Sequence, residues 1–210
     1  MTAAPQTAPA SRPGAGAASP GAPGIEATNT VVIGSGFSGL AMAAELNRQG
    51  IKAIVVDCPA PPASQGSPAT GGVSLDAMDR RTEIMRLLEH YARRHELDIR
   101  PATAALHIES KATPAGRLWE IRTATGILTA HSIVFTRGAL NQLRRMLHGV
   151  GIGTGQGLGS AMQALGLYLV GVGELLTPST QEILHQAKHA GQCISARAAS
   201  RQAGTLPGLA

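Results

Sequence analysis

Thr30-Val31-Val32-Ile33-Gly34-Ser35-Gly36-Phe37-Ser38-Gly39 is the stretch on which the reading of this 210-residue chain turns. The β-branched run before Gly34 predicts a short buried strand. The residues after Gly39, with Leu40, Ala41, Met42, Ala43, Ala44 and Leu46, predict a helix with a small-residue face that Gly50 stops. Lys52-Ala53-Ile54-Val55-Val56-Asp57 then predicts a second strand, which completes a strand, helix, strand unit.

Gly34, Gly36 and Gly39 stand in the spacing G-x-G-x-x-G, and Asp57 follows 18 residues after Gly39. A glycine loop in that frame, with an acid at that distance, is the dinucleotide fingerprint. Gly34 permits the tight turn, Gly36 lets the backbone approach a pyrophosphate, and Gly39 lets helix pack on strand. The amides of Phe37 and Ser38 point toward the phosphates from the helix start, where the helix dipole favours an anion. Asp57 accepts hydrogen bonds from ribose hydroxyls. A carboxylate there disfavours a 2′-phosphate, so NADP is the least favoured occupant.

Composition agrees with a parallel sheet. The chain is 43% hydrophobic but only 2% aromatic, with Phe37, Tyr91, Trp119, Phe135 and Tyr168 as its rings. Its core must therefore come from Val, Ile, Leu and Ala, the usual filling of strands buried on both faces. The net charge of +5 lies on scattered or paired arginines separated by acids, with almost no aromatics for base stacking. That argues against nucleic acid as a partner. Cys58 and Cys193 form no CxxC pair, which argues against a disulfide framework or a redox dithiol and makes a reducing cytoplasm the default location. No segment has the run of apolar residues that a membrane span needs.

Along the chain, residues 1–29 are rich in Ala, Pro and Gly and predict a disordered tail without a signal-peptide core. Residues 30–199 predict a single α/β domain, and 200–210 a flexible C-terminal tail. Within the domain, 59–72 reads as a loop. Arg81 to Glu96 reads as an amphipathic helix with Ile84, Leu87, Leu88, Tyr91, Ala92 and His95 on one face. Leu106 to Glu109 and Leu118 to Thr123 read as a small antiparallel excursion around a turn at 113–116. Strands follow at 132–136 and 167–170; between them lies the Gly-rich stretch 143–165, whose alternating Gly151, Gly153, Gly155, Gly157 and Gly159 are too flexible to predict as regular structure by themselves. A last helix begins near Ser179, which with Glu182 matches a capping box.

These features resemble the FAD-dependent pyridine-nucleotide oxidoreductases, in particular flavin-containing monooxygenases and thioredoxin-reductase-like proteins. The similarity covers most of 30–143 and resumes at 166–198. Val31 to Asp57 matches the family's FAD-binding unit. Ile133-Val134-Phe135-Thr136-Arg137-Gly138 is similar to its apolar strand ending in Ala-Thr-Gly, and Gly166 to Gly171 to the last strand, beside which the flavin lies. The resemblance implies an FAD-binding Rossmann-type sheet, FAD as cofactor ahead of NAD, and Gly34, Gly36, Phe37, Ser38, Gly39, Asp57, Thr136, Gly138 and Gly171 as cofactor-binding residues.

Departures accompany the resemblance. Where the family inserts a nicotinamide-binding domain, only 143–165 is present, and Gly157-Leu158-Gly159 has no strand leading into it. Arg137 replaces a Thr, Ser74 an aromatic residue and Val172 an Asp, with Glu174 as a substitute. The expected activity is that of an FAD-binding oxidoreductase acting on a small molecule. A separate reductase, a partner chain or a substrate that reduces the flavin directly would supply its electrons, and self-association is left open. No catalytic residue is identified. The alternative is a non-catalytic FAD- or NAD-binding module. An NAD-only dehydrogenase lacks a visible acid or base. His185 and His189 have metal-compatible spacing but no predictable third ligand, so no metal site is expected. Ser35 and Ser38 are not in a nucleophile elbow, and Cys193 reads as a small core residue.

Overall fold

A computed structural model describes residues 24–59, 75–113, 116–150, 157–173 and 178–204. The order is β1 (Ile25–Ile33), α1 (Phe37–Arg48), β2 (Ala53–Asp57), α2 (Leu75–Arg94), β3 (Asp98–Thr113), β4 (Gly116–Thr123), β5 (Ile127–Thr136), α3 (Leu140–Val150), α4 (Leu158–Leu165), β6 (Leu167–Val170) and α5 (Thr180–Gly204). A 3-10 turn, Arg137–Ala139, joins β5 to α3.

β1 lies between β2 and β5 and runs parallel to both. β2 also pairs parallel with the start of β3, and β5 with β6. The expected parallel sheet is thus present at the glycine loop, but the sheet as a whole is mixed. β3 is far longer than the predicted 106–109. It continues past β2 and pairs antiparallel with β4, which pairs antiparallel with β5. The strand was hard to see because Pro101 interrupts its pattern. The register shifts between Val56, opposite Arg100, and Asp57, opposite Ala104, so Pro101 lies in the irregular stretch between these partners, where proline is tolerated.

Residues alternating along the strands feed two separate cores. Val31, Ile33, Ile54, Val56, Ile133 and Phe135 face Trp119, Ile121, and Leu143, Met146 and Leu147 of α3. Val32, Val55 and Val134 face α1 through Ala41, Met42 and Leu46, and α5 through Ile183, Ala187, Ala190 and Ile194. Val31, Val32 and Ile33 are fully buried. Each such side chain contributes about 1.5–3 kcal/mol relative to an exposed one, so the strand that delivers the glycine loop is anchored from both sides.

Several predicted boundaries move. β1 begins at Ile25, inside the stretch assigned to the tail, because residues 25–28 pair with Ile127 to Ala130 and Arg100 forks onto both oxygens of Glu26 at 2.7 and 2.8 Å. α5 continues to Gly204, past the predicted domain end at 199. α3 runs from Leu140 to Val150 and so enters the 143–165 stretch; of the alternating glycines, the left-handed Gly157 (φ 90°) leads into α4 and Gly159 lies within it. α2 is amphipathic as expected, except that Leu87 is exposed while Ile84, Met85 and Leu88 pack on the α1 and α5 core. Ser179 Oγ accepts the amide of Glu182 at 3.2 Å, the Ser179 half of the predicted capping box. The expected tail 1–23, most of the 59–72 loop, Ser74, Glu174 and residues 151–156 lie outside the described residues. Among the described residues no helix is long and apolar enough to cross a membrane.

Candidate functional site

The glycine loop joins β1 to α1, and each glycine has a separate geometric reason. Gly34 has φ 116°, a conformation open to glycine, and donates its N–H to Val56 O at 2.7 Å. A Cβ there would fall 2.0 Å from Thr136 Oγ1. A Cβ on Gly39 would fall 1.8 Å from the Gly34 carbonyl oxygen. Gly36 is different: an added Cβ would meet nothing within 4 Å. The first and third glycines are therefore required by the protein's own packing, while the second borders open space.

Gly36 is the N-cap of α1, with no side-chain cap and no acid in the first turn. The first amides of the helix therefore present partial positive charge that no side chain of the helix neutralises. Across the loop, Asp57 at the end of β2 is half-buried. Its Oδ1 accepts hydrogen bonds from Ser35 Oγ at 3.1 Å and from the Cys58 amide at 3.0 Å. Both bonds hold the same oxygen and fix the carboxylate toward the loop.

Gly34 to Gly39, Asp57, Cys58, Arg81, Thr136, Arg137 and Gly138 surround a cavity of about 260 Å³. The predicted positions Gly34, Gly36, Phe37, Ser38, Gly39, Asp57, Thr136 and Gly138 are therefore brought together. Thr136 contributes indirectly, since its hydroxyl donates to Ile33 O at 2.9 Å and ties β5 to β1 beneath the loop. Gly138 gives space to Cys58, whose sulfur would be 3.1 Å from a Cβ at that position.

Gly171 is not part of the cavity lining. Its left-handed backbone (φ 77°) backs onto Ser38, whose Oγ would be 2.1 Å from an added Cβ. Its N–H donates to Gln186 Oε1 at 2.8 Å, and Gln186 Nε2 donates to Val172 O at 3.0 Å. One α5 side chain thus bridges both sides of the backbone at the end of β6.

Cys58, Arg81 and Gln186 were not singled out by the sequence. Cys58 carried a local signal, its place directly after Asp57. It is half-buried, and burial pushes its thiol pKa up, with Asp57 adding to the rise and a hydrogen bond with Thr136 opposing it. Arg81 reaches the site from α2 and lies over the Phe37 ring, with 5.0 Å from guanidinium carbon to ring centroid. No spacing rule links it to a loop more than 40 residues earlier. Arg137, the departure from Ala-Thr-Gly, is exposed and also lines the cavity.

No protein-family model and no curated protein matches the chain. Among solved structures it is similar to a flavin-containing monooxygenase from Stenotrophomonas maltophilia, at 18% identity and TM-score 0.36 over 52% of this chain and 38% of that one. It is also similar to a thioredoxin reductase from Gloeobacter violaceus, at 17% and 0.35 over 52% and 36%. A third neighbour is a cyclohexanone monooxygenase, at 19% and 0.38 over 54% and 26%. At such distances they assign no activity. The matched region spans less than two fifths of each neighbour's length, and the functional reading rests on the loop itself.

The histidines of α5 belong elsewhere. His185 and His189 line a mostly apolar cavity of about 350 Å³ between α4, β6 and α5. Among the described residues no group of three or more His, Cys, Asp or Glu is placed to hold a metal ion.

Proposed function

We propose that this chain binds the adenosine-diphosphate half of FAD in the cavity between Gly34, Gly39 and Asp57, and that it is an FAD-binding oxidoreductase of the flavin-monooxygenase type. The observation that carries the reading is the contrast among the three glycines. Two are filled against the protein's own atoms, and only Gly36 faces open space. That is the arrangement a close-approaching diphosphate requires. Asp57 Oδ2 is left to accept from a ribose hydroxyl, since both intramolecular bonds fall on Oδ1. When bound, the flavin supplies the redox chemistry, and the protein supplies position and electrostatics. The electron donor is then external: a reductase, a partner chain or the small-molecule substrate itself. A cytoplasmic setting fits the free thiols.

A purified preparation should be yellow or become so on adding FAD. A protein that stays colourless after incubation with excess FAD and gel filtration contradicts the proposal.

One observation favours the second reading, a non-catalytic module that binds FAD, NAD or ADP. Gln186 already occupies the Gly171 amide and the Val172 carbonyl at the end of β6, beside which the flavin lies in the proteins the sequence resembles. Reduction separates the two readings. Bound flavin that bleaches with a nicotinamide donor and recovers in air supports the enzyme, and flavin inert to both supports the module.

A further inference from the structure

We infer that Arg81 is a phosphate-binding residue supplied from outside the glycine loop, and that it makes the cavity selective for a diphosphate ligand over the uncharged nucleoside. The inference rests on the nucleotide reading of the loop and adds to it a contact that the fingerprint does not contain.

Three observations lead to it. Arg81 lines the same cavity as Gly36, Phe37 and Ser38. Its guanidinium is held 5.0 Å from the centroid of the Phe37 ring, and Phe37 is itself buried and is the first residue of α1. The cation therefore lies beside the first turn of α1, which has no side-chain cap and no acid. A guanidinium over a ring face keeps its N–H donors in its own plane, so the contact with Phe37 does not consume them. Stacking on a ring restrains the long side chain at small cost, and the planar fork matches a phosphate in a way that lysine does not.

The charges around the cavity agree. The cavity lining combines one carboxylate among the described residues, Asp57 at the end of β2, with the side chain of Arg81 and the first residues of α1. A ligand with hydroxyls at one end and two phosphates at the other satisfies both parts. Arg81 is exposed, so water and salt weaken the contact without abolishing it.

The test is calorimetric titration of the full chain and of Arg81→Gln and Arg81→Lys with ADP and with adenosine, at two salt concentrations. The expected result is ADP binding about tenfold weaker in R81Q, adenosine binding unchanged, a smaller salt dependence of ADP binding, and only partial recovery in R81K. Circular dichroism and thermal melting confirm that the variants are folded. R81Q binding ADP as tightly as the parent overturns the role of Arg81 and leaves the nucleotide site standing. Equal losses of ADP and adenosine also overturn it, since they mark a collapsed cavity rather than a lost phosphate contact. A parent chain that binds neither ligand overturns the nucleotide reading itself.

Discussion

Gly39 sits directly on Gly34: a single carbon added to its Cα would fall 1.8 Å from the Gly34 carbonyl oxygen. The start of α1 thus rests on the end of β1 with no side chain between them. The contact fixes the direction of the helix axis, and with it the direction in which the first amides point.

Substituting Gly39 and Gly36 separately should divide stability from binding. Gly39→Ala forces backbone apart and is expected to cost about 1–3 kcal/mol. Gly36→Ala has an ordinary φ of −75° and open space, so it should cost less than about 1 kcal/mol while weakening nucleotide binding at least about tenfold, because its methyl group enters the ligand's volume. Urea unfolding and ADP titration of both variants check this. A G36A protein that binds normally would show that the space over Gly36 is not the site.

Asp57→Asn tests the sugar end. The amide keeps the shape but loses the charge, so the preference for ADP over its 2′-phosphorylated form should shrink by about tenfold or more. Competition binding measures it. An unchanged preference would place the ribose away from Asp57.

Cys58 supplies a probe within the cavity. Its thiol pKa is raised by burial, by Asp57 and against the Thr136 hydrogen bond, so alkylation of Cys58 in a C193S background should rise with pH only above the range of a free thiol. For folding the sign is the same as for any raised acid. The contribution is fully present below the unfolded thiol value and is lost as pH rises toward the folded one. Bound ADP should slow alkylation further. Labelling as fast as that of a free thiol, and indifferent to ADP, would put Cys58 in open solvent.

His131 gives the acid-side counterpart. Burial, then the positive charge of Arg201, lower its pKa from the ordinary 6.5. The unfolded chain therefore takes up a proton before the folded one, and stability falls as pH drops from about 7 through 6.5 and below. His131→Gln should flatten this slope in thermal melts. A variant with the parent's slope would assign the acid sensitivity to other groups.

The parts of the molecule legible in the sequence are those set by local physics. The run 30–33, the three glycines and Asp57 each answer a demand posed within one strand, helix, strand unit, and the structure brings them to one cavity. The helix cap at Ser179 was visible for the same reason. Features set by distant partners were hidden. The length of β3 depends on β2 at one end and β4 at the other. The start of β1 depends on β5 and on Arg100. Arg81 and Gln186 reach the loop region from α2 and α5, where neither has a pattern to mark it. Gly171, which the resemblance places with the cofactor, backs onto Ser38 and stands outside the cavity lining.

Titration of the 210-residue chain with FAD, followed by tryptophan and flavin fluorescence and repeated with ADP as competitor, tests the central claim most directly. The account predicts saturation at one FAD per chain, displacement by ADP, and binding of both at least about tenfold weaker in G36A. A chain that binds FAD without competition from ADP, or that binds neither, contradicts it.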